Sequence, residues 1–338
     1  MATYININGN NIPITASDPS NPIIGEIWYN TTTNLLKGRV NMTAAFSTGG
    51  TVPQAIQGGG SGGTQTAAWA AGGLQYPGDT KNKTWTYNGT SWTAGNNIPA
   101  NYFIGGSTGP DSAGLLFDGI GSYGPGTATY EWDGTNWTAG GAIPAIGPGG
   151  NSYATGSGAS QTAAIAIGGI GDPPPAVVNR VLTYNGASWS TGTVTPVTTA
   201  GTAGDGPETA TWIGGGYNGA SLPTQSFEFN GSSWTASGTI GTALPQSLNG
   251  NGWGPQTSGI IGGGTSSAPT AKISQTYDGT SWAAGSNMST SRQNSAYSSK
   301  SAGTQTGFIA GGWESTGNTA ATEEYDAAGP STVTITTS

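Results

Sequence analysis

The sequence predicts an all-β fold, and the first observation behind this prediction is a motif that occurs six times. At intervals of 46 to 50 residues, a large apolar anchor is followed three or four positions later by a glycine turn. The anchors are Trp69, Leu115, Ile165, Trp212, Ile260 and Phe308. The second observation is a corner after each of the first five anchors, in which an aromatic residue, Asn or Asp, Gly and two small polar residues precede a tryptophan. The corner tryptophans are Trp92, Trp137, Trp189, Trp234 and Trp282. A period of this length with two strand signals per unit is typical of a β-propeller.

Each repeat is predicted to contain four strands, and the first repeat illustrates the reasoning. The segment 65–71 is rich in alanine but too short for a stable helix and ends in Gly-Gly, so it is interpreted as a buried strand. The segment 83–87 alternates polar and aromatic residues, which is the period of a half-buried strand. Asn88 and Gly89 are predicted to supply the positive-φ residues of a tight turn, after which Trp92 opens the next strand. With a glycine-rich strand before each anchor, the prediction is a propeller of six four-stranded blades, with seven blades as the alternative.

The first 45 residues lie outside this regular spacing. They contain a Pro-rich linker and then a predicted β-hairpin, with strands at Ile27 to Tyr29 and Leu35 to Val40. An isolated hairpin is marginally stable in water, so we expect it to pack against the propeller or a partner. In the seven-blade alternative it is a degenerate extra blade. The predicted domains are therefore an N-terminal arm at 1–45 and a propeller at 46–338.

The composition excludes several classes of function. The chain has only 8 Lys and Arg and a net charge of −8, which leaves little to neutralise phosphates or an anionic membrane surface. We therefore expect no nucleic-acid partner, and no membrane insertion because no apolar run is long enough to span a bilayer. The chain contains no His and no Cys, so it lacks the commonest general base and the commonest transition-metal ligands. We expect no cofactor and no metal.

The order of glycine pair, variable loop, aromatic strand, turn, Trp and Pro resembles the kelch repeat of galactose-oxidase-like propellers. The resemblance extends from near residue 50 to the end of the chain. It implies a β-propeller and says little about activity, because propellers host many functions. The arginine that is typical of kelch units after the final strand occurs only once, as Arg292.

The run from Gly25 to Lys37 resembles a short module near the N-termini of structural proteins of tailed bacteriophages, particularly fibre and appendage proteins of cyanophages. This resemblance implies that the hairpin docks the chain onto a virion. The residues expected to make that contact are Trp28, Tyr29, Asn30, Leu35 and Lys37.

The copper chemistry of galactose oxidase relatives uses two His and a Cys-modified Tyr, so it cannot operate in this chain. Sialidase-like propellers bind a substrate carboxylate through several arginines. Here the arginines are Arg39, Arg180 and Arg292, each in a different unit, and convergence on one pocket is not expected.

Glycosidase chemistry needs only two carboxylates across a cleft. Glu131 and Asp133 would share one strand face by the period-two rule, but Asp133 occupies the turn position that Asn or Asp fills in other repeats. We therefore expect Asp133 to be structural. The pairs Glu323 with Glu324 and Asp205 with Glu208 are predicted to be solvated, with calcium binding at the second pair as an alternative.

Functional residues are expected where the repeats differ, in the loops between the glycine turn and the aromatic strand. These loops should emerge on one rim of the propeller. The partly apolar side chains expected to make contacts there are Tyr76, Pro174, Tyr217 and Trp313.

The function expected from these observations is that of a non-enzymatic phage virion protein. In this reading the propeller is displayed on a tail fibre or appendage for adhesion to host-surface glycan or protein. One alternative is a capsid or neck decoration protein with purely structural contacts, and a second is a glycan-cleaving enzyme that uses two carboxylates. The expected partners are other virion proteins, bound through the N-terminal arm, and formation of homo-oligomers in the particle is left open.

Overall fold

The computed structural model describes residues 12–75, 79–120, 126–147, 151–171, 176–221, 223–241, 251–264, 272–297, 306–314 and 316–336. The chain divides into two compact units. One unit is Phe46–Asp326, which we call the propeller; the other combines Met1–Ala45 with Ala327–Ser338, and we call it the module. The C-terminal boundary therefore differs from the expected one, because the last twelve residues belong with the N-terminal segment. No helix in the described residues is long and apolar enough to cross a membrane.

The described part of the propeller contains six four-stranded sheets, one for each sequence repeat, which we call blades 1 to 6. The strands of blades 1 to 3, from inner to outer, are Gly60–Thr64, Ala67–Ala71, Thr84–Tyr87 and Trp92–Gly95; Gly106–Thr108, Gly114–Phe117, Thr129–Trp132 and Trp137–Ala139; and Thr155–Ser160, Ala163–Ile167, Val181–Tyr184 and Trp189–Thr191. Those of blades 4 to 6 are Ala203–Asp205, Trp212–Gly214, Gln225–Phe229 and Trp234–Thr239; Gly252–Trp253, Ile260–Gly262, Ser274–Tyr277 and Trp282–Ala284; and Ala296–Tyr297, Gly307–Ala310, Thr322–Asp326 and Ala45–Thr48.

The outer strand of blade 6 comes from the other end of the chain. The sixth repeat lacks the corner tryptophan, and the chain leaves this sheet after Asp326. Ala45–Thr48 takes the vacant outer position beside Thr322–Asp326. The N-terminal part of the propeller thus completes the last blade, so the first and last repeats are joined by strand pairing.

The hydrophobic core lies between neighbouring blades. All six anchors are at most 1% exposed, because each sits in a second strand covered on both faces. One cluster joins blades 6 and 1 and includes Phe308, Trp85 and Trp92. A second cluster joins blades 1 and 2, where the ring of Trp69 packs on Gly114 so closely that a Cβ there would lie 2.5 Å from the indole. Only glycine fits at that contact. This explains why the second strand of blade 2 begins with Gly114.

The corners are four-residue turns that begin with Asn or Asp. Trp92 pairs directly with Tyr87, and their rings stack with centroids 4.7 Å apart. The Asn88 Oδ1 atom accepts hydrogen bonds from the backbone N–H groups of Thr90 and Ser91, at 3.0 and 2.8 Å. Only Gly89 takes a positive φ, of 87°, so the prediction that Asn88 also does is wrong. Asn and Asp recur here because their side chains cap the turn.

Each corner tryptophan also reaches the preceding blade, where its Nε1–H donates to an oxygen. Four of them donate to a hydroxyl at the start of a third strand: Trp137 to Thr84 (2.8 Å), Trp189 to Thr129 (3.0 Å), Trp282 to Ser226 (3.0 Å) and Trp92 to Thr322 (3.0 Å). In blade 3 this position is Val181, which has no hydroxyl, and Trp234 donates instead to the backbone oxygen of Thr193. The Trp92 bond links blade 1 to blade 6. The predicted packing of these tryptophans between blades is confirmed, although Trp189, Trp234 and Trp282 are half-buried rather than buried.

The module is a four-stranded sheet rather than an isolated hairpin. Its strands, in spatial order, are Ile14–Thr15, Ile27–Asn30, Leu35–Met42 and Gly329–Thr334. The two middle strands form the predicted hairpin, with Trp28 opposite Lys37. The C-terminal strand pairs with the second hairpin strand, from Lys37 opposite Thr334 to Met42 opposite Gly329. This pairing explains how the hairpin obtains the additional strands that it needs for stability.

Candidate functional site

The loops predicted to form the binding rim carry short ladders of their own. Leu74–Gln75 pairs with Asp79–Thr80, Ile170–Gly171 pairs with both Asn151–Ser152 and Ala176–Val177, and Trp313–Glu314 pairs with Gly317–Asn318. Of the four predicted contact residues, Tyr217 and Trp313 are half-buried, in blade 4 and blade 6 respectively. Isolated bridges join Tyr217 to Ala200 and Trp313 to Gln293. Tyr76 and Pro174 lie outside the described residues.

An open groove with both polar and apolar walls lies at the loop end of blade 1, and it was not predicted from the sequence. Its volume is about 700 Å³. Its walls are Pro53, Gln54, Ala55, Gln75, Lys83, Thr84, Trp85, Ala94, Gly95 and Asn97. Gln54 Nε2 donates to Gln75 Oε1 at 2.5 Å, which ties the connection entering blade 1 to the loop after the glycine turn. Among the described lining residues, the amides and the Lys83 ammonium group offer hydrogen bonds to a polar ligand, and none is a carboxylate.

The carboxylates considered for glycosidase chemistry have structural partners. Glu131 Oε1 accepts a hydrogen bond from Tyr184 OH at 2.5 Å, and Asp133 Oδ1 accepts the N–H groups of Thr135 and Asn136 at 2.8 and 2.6 Å. These backbone hydrogen bonds lower the pKa of the exposed Asp133 carboxyl. An acid that protonates a leaving group needs the opposite shift.

The Glu131 contact recurs in every second blade. Glu131, Glu228 and Glu324 stand in the third strands of blades 2, 4 and 6, and they accept hydrogen bonds from Tyr184, Tyr277 and Tyr87 in the third strands of blades 3, 5 and 1. Burial, and then the hydrogen-bonded carboxylate, raises the pKa of each of these tyrosines to about 12. In the third strands of blades 2, 4 and 6 a Glu precedes an aromatic residue, whereas in blades 1, 3 and 5 a Thr precedes a Tyr. This alternation in the sequence could have identified the pairs.

Two acidic residues predicted to be solvated are buried instead. Glu323 is 3% exposed, and its Oε1 lies 2.7 Å from Arg292 Nη2 in an ion pair whose guanidinium is fully buried. Asp205 is 2% exposed, and its two carboxylate oxygens accept the N–H groups of Gly206 and Gly254, each at 2.6 Å. The described residues contain no group of three or more acidic side chains that could hold a metal ion.

The arginines are held apart by separate partners. Arg180 Nη2 lies 3.2 and 3.1 Å from the two oxygens of Asp118, a buried residue with φ of 62° at the glycine-turn position of blade 2. Burial raises the pKa of the Asp118 carboxyl to about 7, against the opposing effect of Arg180. Arg292 pairs with Glu323, so Arg180 and Arg292 serve two separate ion pairs within the propeller, and Arg39 belongs to the module.

In the module, Asp18 organises three of the five predicted docking residues. Its Oδ1 accepts hydrogen bonds from Trp28 Nε1 at 3.0 Å and from Asn30 Nδ2 at 2.7 Å, and its Oδ2 lies 2.7 Å from Lys37 Nζ. These hydrogen bonds, with that from Lys37 the largest, lower the pKa of Asp18 to about 2. Trp28 is fully buried, so the face of the sheet that carries Trp28 is covered by residues of the same chain.

The other two predicted docking residues are more accessible. Leu35 is 40% exposed, and Tyr29 is half-buried with its hydroxyl 3.4 Å from Asn34 Oδ1. Sequence reasoning did not identify Asp18 as their organiser, because it lies in the Pro-rich segment that was interpreted as a linker.

Most of the exposed large apolar side chains in the described part of the chain belong to the module. Among the described residues, eight large apolar side chains are exposed, and all except Val194 belong to the module: Ile14, Ile23, Ile24, Leu35, Val40, Met42 and Ile335. Scattered exposed apolar residues are normal, whereas concentration in one small unit indicates an interaction surface.

No protein-family model matches the sequence, and no curated protein sequence matches it either. A solved structure titled "Structure of YjhT" is similar in fold, with a TM-score of 0.63 at 13% sequence identity. The match covers 83% of this chain and 99% of that chain. At this identity the similarity shows the fold alone, and together with the six four-stranded sheets it confirms the predicted all-β propeller fold.

Proposed function

We propose that this chain is a non-enzymatic structural protein of a tailed-phage virion, displayed on a tail fibre or appendage, where its propeller adheres to the host surface. The observation that carries the proposal is the separate module. The stretch that resembles a phage module lies in its own compact unit, whose described residues include seven exposed large apolar side chains. Such a unit is suited to docking, and it leaves the propeller available for a second contact.

A non-enzymatic role is supported by what the candidate catalytic groups do. The Glu131 and Asp133 carboxylates are engaged by a tyrosine and by a turn. The pair considered for glycan cleavage is therefore held by structural contacts.

The adhesive surface is assigned to the loop end of the propeller. Trp313 lies there on a short ladder and Tyr217 in an isolated bridge, and the groove beside Gln54 and Gln75 offers amide groups. Aromatic rings and amides are the groups that commonly bind sugar hydroxyls and polar peptide surfaces. The expected ligand is a host-surface glycan or protein.

The position of the protein on intact particles tests the proposal. Antibodies against the propeller, bound to gold particles, should label the tail or its fibres in electron micrographs. Label on the capsid or neck would favour the decoration alternative, and absence of the protein from purified particles would refute a virion role.

A second experiment separates adhesion from docking. Particles that carry Tyr217→Ala or Trp313→Ala should contain normal amounts of the protein but adsorb more slowly to host cells. Thr135→Ala, in the corner turn at the opposite end of blade 2, is the control and should leave adsorption unchanged. Equal adsorption by all three variants would contradict the assignment of the rim.

A further inference from the structure

Lys83 and Arg180 occupy equivalent positions in blades 1 and 3. Each of them directly precedes the third strand of its blade. In each blade the first residue of the glycine turn donates its backbone N–H to the carbonyl oxygen of this basic residue. The donors are Gly72 to Lys83 and Gly168 to Arg180, both at 2.8 Å. The two basic side chains therefore start from matching points of the repeat.

Arg180 finds its partners within the chain, on the side of the preceding blade. Its Nη2 atom lies 3.1 Å from Oδ2 of Asp118, which stands at the glycine-turn position of blade 2. Its Nη1 atom donates to the backbone oxygen of Pro144, in the connection between blades 2 and 3, at 2.5 Å. The cation of blade 3 thus has a carboxylate supplied by the protein itself.

Lys83 has matching surroundings without a carboxylate at the turn. The glycine-turn residue of the preceding blade, blade 6, is Gly311, which shares with Asp118 a φ of 62° but has no side chain. Pro53, in the connection that enters blade 1, lines the groove together with Lys83. It stands where the connection that enters blade 3 has the proline contacted by Arg180. The groove is therefore the counterpart in blade 1 of the Arg180 site, with its internal carboxylate missing.

The Lys83 ammonium group has no partner in the described part of the chain, whereas other basic groups of the propeller do. Arg292 pairs with Glu323 at 2.7 Å, and Lys272 Nζ donates to the backbone oxygen of Ser289 at 2.9 Å. Lys83 is exposed and makes neither a hydrogen bond nor an ion pair through its side chain there. The groove therefore contains a cation that is open to a ligand.

The amides around Lys83 add both donors and acceptors. Gln54 Nε2 donates to Gln75 Oε1 at 2.5 Å, which leaves Gln75 Nε2 and Gln54 Oε1 for a ligand. The Asn97 amide also lines the groove and is exposed. An ammonium group with amide N–H groups can bind a carboxylate, and amide oxygens accept hydrogen bonds from hydroxyl groups. The groove thus matches a ligand that carries one carboxylate and several hydroxyls.

We propose that this groove binds a sugar acid, with the sugar carboxylate paired to Lys83. The inference rests on the proposed adhesion to the host surface and names the class of glycan. The ligand supplies to Lys83 the counter-charge that Asp118 supplies to Arg180. Exposed apolar walls at Pro53 and Ala94 suit the C–H groups of a sugar ring. An acidic protein would bring many negative charges against a chain of net charge −8, whereas a sugar acid brings one.

NMR titration of the full-length chain with methyl glucuronide and methyl galacturonide tests the proposal. The methyl esters of the two acids are the matched probes, because they keep the sugar and remove the charge. The side-chain amide signals of Gln54, Gln75 and Asn97 should shift, with dissociation constants on the order of 1–10 mM for ligands this small. The esters should bind about two- to fivefold more weakly, since an exposed ion pair contributes modestly.

Lys83→Gln should bind each acid and its ester equally. Lys272→Gln is the control, because it removes a lysine from the loop end of blade 5 and should keep the preference for the acid. Circular dichroism should show that both variants remain folded. Absence of shifts in the groove amides at 50 mM acid, or an equal acid preference in Lys83→Gln and the wild type, would overturn the proposal.

Two further outcomes separate the possible sources of error. Triglutamate that binds through Lys83 more tightly than either sugar acid would overturn the assignment to a glycan and favour an acidic protein. Gold label on tail fibres together with no acid preference would refute this inference alone. Acid-dependent binding by a protein that is absent from particles would refute the virion role and support the groove.

Discussion

The hydrogen bond between Trp137 and Thr84 provides a direct test of how the blades are joined. The Trp137 Nε1–H donates to Thr84 Oγ1 at 2.8 Å, and these residues are 7% and 1% exposed. Thr84→Val keeps the shape of the side chain but removes the acceptor. The buried indole N–H then has no partner, which costs about 1–3 kcal/mol.

At an unfolding entropy of about 2.1 cal/mol/K per residue, that cost corresponds in the propeller to a decrease in Tm of about 2–5 °C. Urea unfolding followed by tryptophan fluorescence would measure the same loss as a lower midpoint. Thr86→Val is the matched control, because Thr86 is in the same strand and bonds only to the exposed Thr93 hydroxyl at 3.0 Å. It should change stability by less than about 0.5 kcal/mol.

A double-mutant cycle identifies the interaction itself. Trp137→Phe removes the N–H donor, so the second substitution should cost less in that background than in the wild type. A coupling free energy of about 0.5–1.5 kcal/mol is expected. If Thr84→Val is no more destabilising than Thr86→Val, or if the cycle shows no coupling, the hydrogen bond does not join the blades.

Glu323→Gln should destabilise the propeller by about 3–5 kcal/mol, because it leaves the buried Arg292 guanidinium without its counter-charge. The exposed Asp326→Asn control should cost little, and similar midpoints in urea for the two variants would contradict the role of the ion pair. In the module, the folded pKa of Asp18 is about 2 against about 3.9 for an unfolded aspartate, so its stabilising contribution is complete above about pH 4 and is lost as the pH falls through 2. The NMR signal of the Trp28 indole N–H should shift over that range in the wild type and not in Asp18→Asn; an equal shift in both would show that another group titrates. Truncation after Asp326 should bare the strand edge at Leu35–Met42 and increase aggregation, as measured by light scattering, whereas unchanged solubility would show that the C-terminal strand is dispensable.

Local patterns in the sequence predicted the elements that depend on neighbouring residues. The anchors, the corners and the hairpin at Ile27–Asn30 and Leu35–Met42 all follow from alternation and turn chemistry. The pairings between distant segments were not predicted. Ala45–Thr48 and Gly329–Thr334 are short and polar in part, and nothing in their own residues specifies a partner at the other end of the chain.

Less of the candidate site could be predicted, because its contacts also join segments that are distant in the sequence. Tyr217 and Trp313 could be assigned to the rim because they lie where the repeats differ. The burial of Asp205 and Glu323 was not predicted, because it depends on amide and guanidinium partners in other segments. The role of Asp18 depends on the fold of the module, which places Trp28, Asn30 and Lys37 around one carboxylate.

Incorporation into particles of a propeller without its module is the most direct test of the proposed function. The variant should contain residues 45–326, because Ala45–Thr48 is needed to complete blade 6 and Ala327–Ser338 belongs to the module. Circular dichroism and thermal unfolding should first show that this variant folds. Quantitative mass spectrometry of purified particles should then find the full-length chain at a fixed copy number and the variant absent. Incorporation of the folded variant at the normal copy number would contradict docking through the module.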